Sequence, residues 1–238
     1  MQASKRRPST KRDGAQRPPA KSAGKRPGRG GYHQGLTRDG IAEAALALVD
    51  REGLDSLTYR RLAEAIGCEA MSLYHYFPSK AHLIDAVIDR VFAALQVPPS
   101  GGDWLERVRE AAWNYRAMAL KHPKLYPLIA VHRMNTAVGV RKLDEIIGLF
   151  RQGGFDDATA ARLFREFGYY LTGAALDETA GYAQGPSAAE PVSDAEIVRD
   201  CPNLAAVAPY FQPQHFEQTF ARGLELLLDG MVRMRKPA

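Results

Sequence analysis

Two helix-length segments between Thr58 and Phe77 limit the possible folds more than any other feature of the chain. "SLTYRRLAEAIG" begins at a hydroxyl suited to cap a helix, Thr58. It places Leu62, Ala63 and Ile66 on one face and stops at Gly67. A second segment, from about Glu69 to Tyr76, is no longer. Helices this short are marginal in water and persist only when packed on neighbours. The neighbours are legible on either side. "TRDGIAEAALALVDREG" carries Ile41, Ala44, Ala45, Leu48 and Val49 at helical spacing between a Thr37 cap and a Gly53 stop. "SKAHLIDAVIDRVFAAL" follows, with a wide stripe of Leu83, Ile84, Val87, Ile88, Val91, Phe92 and Leu95.

The same periodicity governs the rest of the chain. After a break at "QVPPSGGD" (Gln96–Asp103), "WLERVREAAWNYRAMALKH" reads as helix to His122, and "LYPLIAVH" as a shorter apolar piece. Next come "VRKLDEIIGLFRQGG" with its double-glycine stop, and a long helix in "DDATAARLFREFGYYLTGAALDETAGY". Residues 184–213, rich in Pro, Gly and Ala, are expected to be mostly loop with one short helix; "HFEQTFARGLELLLDGMVRM" closes the chain as helix. No alternating strand pattern persists, so the expected fold class is all-α, an N-terminal three-helix unit followed by a larger helical domain. The boundaries drawn are 1–35, 36–95 (with the connecting helix from 79) and 96–238. Gly168, Gly173 and Gly223 fall inside helical patterns at a cost of about 1 kcal/mol each relative to Ala, which close helix–helix approach would offset.

Charge is distributed unevenly. The net +5 comprises +9 within residues 1–35, leaving −4 on the rest. That first segment has nothing to bury and is expected to be disordered. It is either a solubilising tail or a basic arm that strengthens polyanion binding by counterion release. No apolar run approaches the length of a membrane span, and none precedes Ile41 to serve as a secretory signal. Cys68 and Cys201, far apart, are expected as free thiols in a reducing cytosol, with a disulfide between them as the alternative. The expected location is cytoplasmic.

Two short helices about a glycine turn form the helix-turn-helix signature, in which the second helix enters the DNA major groove. Its outer face would present Ala70, Met71, Tyr74 and His75, apolar and aromatic rather than amide-rich, suited to thymine methyls. Thr58, Arg60, Ser72, Tyr76 and Lys80 complete the candidate DNA-contacting set. The phenols of Tyr74 and Tyr76 suit phosphate oxygens, and Ser79 caps the next helix so that its first amides and Lys80 form an anion site.

At this point the residues resemble a known family. Residues 36–89, above all "LTYRRLAEAIG" and "LYHYFPSKAHL" at their spacing, resemble the DNA-binding domain of the TetR family of bacterial transcriptional regulators. One departure is Tyr76, where many members have His; either Tyr76 takes over a His–phosphate contact or His75 shifts into it. More loosely, "KHPKLYPLI", "GGFDDATAARLFREFGYYLTGAALDE" and "HFEQTFARGLELLLDGM" look like the C-terminal domain of the tetracycline-repressor subgroup. The resemblance implies a homodimer built by the last two long helices, a double-stranded DNA operator, and an effector pocket among the middle helices.

The candidate lining of that pocket is Trp113, Tyr115, Met118, His132, Met134, Phe150, Phe167, Tyr170 and Leu171, which predicts a small, largely apolar effector. Taken singly, each reads first as plain core; taken together they predict the cavity. Tetracycline repressors hold a drug–magnesium chelate with histidines and a glutamate. Here His122, His132 and His215 are scattered and supply no matching set, so neither metal nor cofactor is expected. His132 either faces the pocket or is a satisfied core or surface histidine. Asp177 and Glu178 in "LDET" read as a solvated helix end, because a di-metal bundle would need Glu-x-x-His pairs. No nucleophile elbow, P-loop, dinucleotide motif or Cys/His metal spacing supports an enzyme. The reading is thus a ligand-responsive regulator, most simply a repressor. The alternatives are an architectural DNA-binding protein dominated by its basic arm and, remotely, a helical-bundle enzyme.

Overall fold

A computed structural model describes residues 35–180 and 188–235. The expected disordered arm therefore lies outside the described residues, apart from Gly35. The helices are α1 (Arg38–Glu52), α2 (Tyr59–Ile66), α3 (Ala70–Tyr76), α4 (Lys80–Ala94), α5 (Trp104–Lys121), α6 (Tyr126–Ile129), α7 (Ala137–Gln152), α8 (Asp157–Ala180), α9 (Asp194–Asp200), α10 (Pro202–Val207) and α11 (Phe216–Met234). No strand occurs among the described residues. Side-chain caps start the helices where the hydroxyls stand: Thr37 accepts from the Gly40 amide at 3.0 Å, Thr58 from Arg61 at 3.2 Å and Thr136 from Gly139 at 2.9 Å. Gly67 closes α2 at φ 72°, ψ 35°, a left-handed conformation that suits glycine.

The first core joins Ile41, Leu48 and Val49 of α1, Leu62 and Ala63 of α2, Leu73 of α3, Phe77, and Leu83, Val87, Ile88 and Val91 of α4. Ala63 is buried there, where a larger side chain would part α2 from α3. The same core continues across the Gln96–Asp103 break into Met118 and Ala119 of α5, Leu125, and Tyr126 and Ile129 of α6. Residues 36–95 and 96–238, drawn above as two domains, therefore share apolar packing. Polar links run the same way. Asp50 of α1 accepts from His122 Nδ1 at 2.9 Å, and Lys124 Nζ donates to the Arg51 carbonyl at 2.6 Å. A second core fills the space between α5, α7, α8 and α11, with Val108, Leu149, Phe150, Leu163, Phe167, Phe220, Leu224 and Leu228.

Three expectations are corrected. The described part of 184–213 holds two short helices, α9 and α10, followed by 3-10 turns at Ala208–Phe211 and Pro213–His215, rather than one helix in a loop. Ser193 caps α9, and Pro202, which needs no amide partner at a first helical position, starts α10. Gly168 and Gly173 meet no close neighbour: nothing lies within 4 Å of a Cβ built on either. Only Gly223 of the three is tight, with Tyr170 Oη 2.6 Å from such a Cβ. Finally, Glu178 is not at a solvated end. Its side chain is 6% exposed and clasped by Arg116, Nε at 3.0 Å from both oxygens and Nη2 at 2.7 Å from one. Arg116 also lies over Trp113 and Phe220, so the pair ties α5, α8 and α11 together.

Candidate functional site

The seven residues of α3 divide into two faces. Positions 72, 73 and 76 turn inward; 71, 74 and 75, at i, i+3 and i+4, turn out. Met71 is 70% exposed, Tyr74 is 44% exposed, and His75 is exposed. Thr58 and Arg60 are exposed beside them, and Lys80 is exposed as the first residue of α4. Ser79 caps α4, its Oγ 3.5 Å from the His82 amide and 2.8 Å from His82 Nδ1.

Three candidate DNA contacts are altered by this geometry. Ser72 is buried on the inner face of α3. Ala70 is half-buried, packed against the first core. Tyr76 rests its ring on that core and donates its hydroxyl to the Leu36 carbonyl at 3.0 Å, so its phenol fastens the chain entering α1 and is not free for a phosphate. His75, its neighbour, is on the outer face.

Two residues not singled out in the sequence matter here. Tyr59 of α2 stacks on Tyr74 with ring centroids 4.2 Å apart and donates to the Phe77 carbonyl at 2.6 Å. Burial, then the neighbouring Tyr74, pushes the Tyr59 hydroxyl pKa up, so it stays a neutral donor. Arg38 of α1 donates to the Tyr76 carbonyl and lies over the Phe77 ring, 4.5 Å from its centroid. Neither partnership follows a helical period, so no local sequence signal marks it.

A cavity of about 510 Å³ opens between the end of α4, α5, α7 and α8. Tyr115, His132, Met134, Phe150, Phe167 and Leu171, all named from sequence, are in its wall. The other three candidates point elsewhere. Trp113 meets Phe220 edge-on at 4.9 Å, and Met118 belongs to the first core. Tyr170 stacks on Phe220 at 5.7 Å and donates to the Phe220 carbonyl at 2.5 Å. The sequence reading missed Phe164, Gly168 and Thr172, which with Leu171 share one face of α8 at i, i+4, i+7 and i+8, a signal the periodicity carried. It also missed Phe92 and Leu95, assigned there to the α4 stripe alone.

The polar groups of the cavity are few. Tyr115 Oη is 2.9 Å from Tyr126 Oη, and burial drives the Tyr126 hydroxyl pKa strongly up, so it remains protonated. His132 Nε2 lies 3.2 Å from Asp85 Oδ1 of α4. At the rim, Arg165 donates to the Tyr169 hydroxyl at 2.9 Å. Such a lining suits a mostly apolar molecule, oriented by a few hydrogen bonds. Among the described residues no cluster of three His, Cys, Asp or Glu side chains could hold a metal, and no helix is long and apolar enough to cross a membrane.

The chain matches the tetracyclin repressor-like C-terminal domain over residues 97–235 and the bacterial regulatory proteins of the tetR family over residues 41–87. It is 30% identical over 226 residues to the HTH-type transcriptional repressor DrrR1 of Streptomyces coeruleorubidus, covering 87% of this chain and 81% of that one. It is also similar to a possible TetR family regulator from Streptomyces coelicolor A3(2), with a TM-score of 0.69 and 32% identity over 84% of this chain and all of that one. ActR, a TetR family protein of Streptomyces coelicolor solved in complex with (S)-DNPA, gives a TM-score of 0.67 and 28% identity over 84% of this chain and 98% of that one. A helix-turn-helix with an aromatic outer face, a larger helical domain around a cavity, and matches over both parts lead to one conclusion: the chain belongs to the TetR family of bacterial transcriptional regulators.

Proposed function

We propose that the protein is a repressor that binds a palindromic operator as a homodimer and is released by a small, largely apolar effector held in the 510 Å³ cavity. One observation carries this reading: α4 belongs to both sites. It begins at Lys80 on the DNA side, pairs Asp85 with the cavity's His132 at 3.2 Å, and brings Phe92 in its last turn, with Leu95 just past its end, into the cavity wall. A molecule entering the cavity therefore bears directly on the helix that follows the reading helix. Two copies of α3 would have to sit about 34 Å apart to enter successive major grooves, and a shift of α4 changes that distance. The effector releases DNA only to the extent that it prefers the non-binding arrangement.

Support for two copies comes from α11, whose buried Phe220, Leu224, Leu228 and Met231 face the chain's own core while Leu226, Val232 and Met234 are exposed on it. Support for an effector comes from ActR, solved with a bound small molecule, and support for repression from the name of DrrR1.

In this reading Met71, Tyr74 and His75 meet base edges and backbone, and Arg60, Thr58 and Lys80 hold the register. Lys80→Ala should weaken binding to every duplex and reduce the slope of log K against log salt by about 2, one from each subunit of the dimer. Anisotropy titrations at several salt concentrations measure both; an unaltered slope would remove Lys80 from the phosphate contacts. The same titrations separate a regulator from an architectural protein, since a regulator should prefer its palindrome by roughly 10³-fold or more.

A further inference from the structure

The strongest charge on the chain has no part in the function proposed above. Residues 1–34 hold ten Lys and Arg against one acid, Asp13, while the rest of the chain carries a net −4. A body of that sign repels a duplex unless cations gather where it meets the phosphates. Few gather there. On α2, on α3 and at the start of α4, Arg60 and Lys80 are the exposed cations that no carboxylate engages among the described residues. Arg61 is taken by Glu52. Glu64 of α2 and Glu69, just before α3, are exposed as well, so the two unengaged cations face two acids.

The cations missing from this face lie in residues 1–34, and the structure fixes where that segment joins the helices. The Leu36 carbonyl accepts from the Tyr76 hydroxyl at 3.0 Å, and Tyr76 is the last residue of α3. Arg38, the first residue of α1, donates to the Tyr76 carbonyl and lies over the Phe77 ring, 4.5 Å from its centroid. Two side chains thus hold the junction against the C-terminal end of α3, next to the outward-facing His75. We infer that residues 1–34 bind the DNA backbone flanking the site of α3 and supply most of the protein's phosphate contacts. Thirty-four residues span at most roughly 110 Å, whereas a flank of about 15 base pairs is roughly 50 Å long. Lys and Arg scattered among Pro, Gly and Ser meet phosphates without reading bases, so operator preference stays with α3. The inference rests on the reading of α3 as the DNA-facing helix.

The test compares the full chain with a full-length variant in which all ten Lys and Arg of residues 1–34 are replaced by Gln. Anisotropy titrations use a duplex of mixed sequence, about 40 base pairs long, at several salt concentrations. The slope of log K against log salt should fall by more than half in the variant, each lost phosphate contact removing about 0.9. A smaller fall overturns the inference, whether or not α3 reads a palindrome. The second probe is the palindrome that the wild type selects from a random library, with flanks of about 3 or about 15 base pairs. The wild type should bind the longer-flanked duplex about tenfold or more tightly, and the variant should bind both alike. The variant should also keep the wild-type preference for the palindrome over mixed sequence within about threefold. Equal binding of the two duplexes by the wild type would place the contacts away from the flanks and sink the idea. A preference lost with the charges also counts against it, because the segment would then be reading bases. If no palindrome is selected, the proposed function fails while the salt slope still decides this inference.

Discussion

Asp177 is the residue whose surroundings fit its chemistry least well. One of its carboxylate oxygens is buried without a partner, and burial, followed by the adjacent Glu178 charge, raises its pKa above the ordinary 3.8. An acid that ionises less readily in the folded chain than in the unfolded one lowers stability once the pH exceeds the unfolded pKa. That penalty fades as the pH falls through the folded pKa, where the folded chain takes up the proton, and is gone below the unfolded pKa, where both states hold it. Asp177→Asn should therefore raise Tm at pH 7, by about 2–4 °C for each kcal/mol gained, and the gain should shrink as the pH approaches 3.8. Thermal melts across that range measure it; a lower Tm at pH 7 would mean that the charge has a partner role. Residues of this kind mark the limit of what the sequence discloses. Thr37, Thr58 and Gly67 announce themselves as caps and stops because the interaction is local. Arg116 and Glu178 are 62 positions apart, and Tyr59 and Tyr74 meet only after the turn between α2 and α3 has formed.

At the level of helices, periodicity identified every long element, since a wide apolar stripe has one way to be buried. It did less well between Pro191 and His215, where no residue is buried from α9 through the last 3-10 turn and so no stripe exists to read. The joints between helices show the same contrast. The stripes specify that α5, α8 and α11 pack together, while the Arg116–Glu178 pair at their meeting point adds a constraint that only coordinates disclose. Arg116→Met should cost about 3–5 kcal/mol by leaving Glu178 ionised and unpaired in a dry setting. Restoring neutrality with Glu178→Leu in the same chain should recover most of it. Chemical denaturation of the two single variants and the double variant gives the coupling energy, and additive losses would show that the two side chains act separately.

For the whole molecule, the proposed function requires that the cavity and the reading helix communicate. His132 and Asp85 bridge the cavity wall to the middle of α4, and Thr136 donates to Asp89 one turn further along. His132→Ala should leave operator affinity within about threefold, because no DNA-facing group changes, while weakening ligand-induced release by about 5- to 150-fold, the usual span of such couplings. Anisotropy with and without ligand separates the two effects. If release is undiminished, the signal crosses through Phe92 and Leu95 instead.

The continuity of the first core past the Gln96–Asp103 break also bears on protein engineering. Val49, Ile88 and Val91 lie in one apolar mass with Met118, Leu125, Tyr126 and Ile129. A chimera that joins the front four helices to a foreign sensor would leave that mass open on the side that α5 and α6 cover. Such hybrids should aggregate or melt early unless the graft also carries the chain through Ile129, which makes Val131, rather than the proline-rich linker, the sensible place to cut.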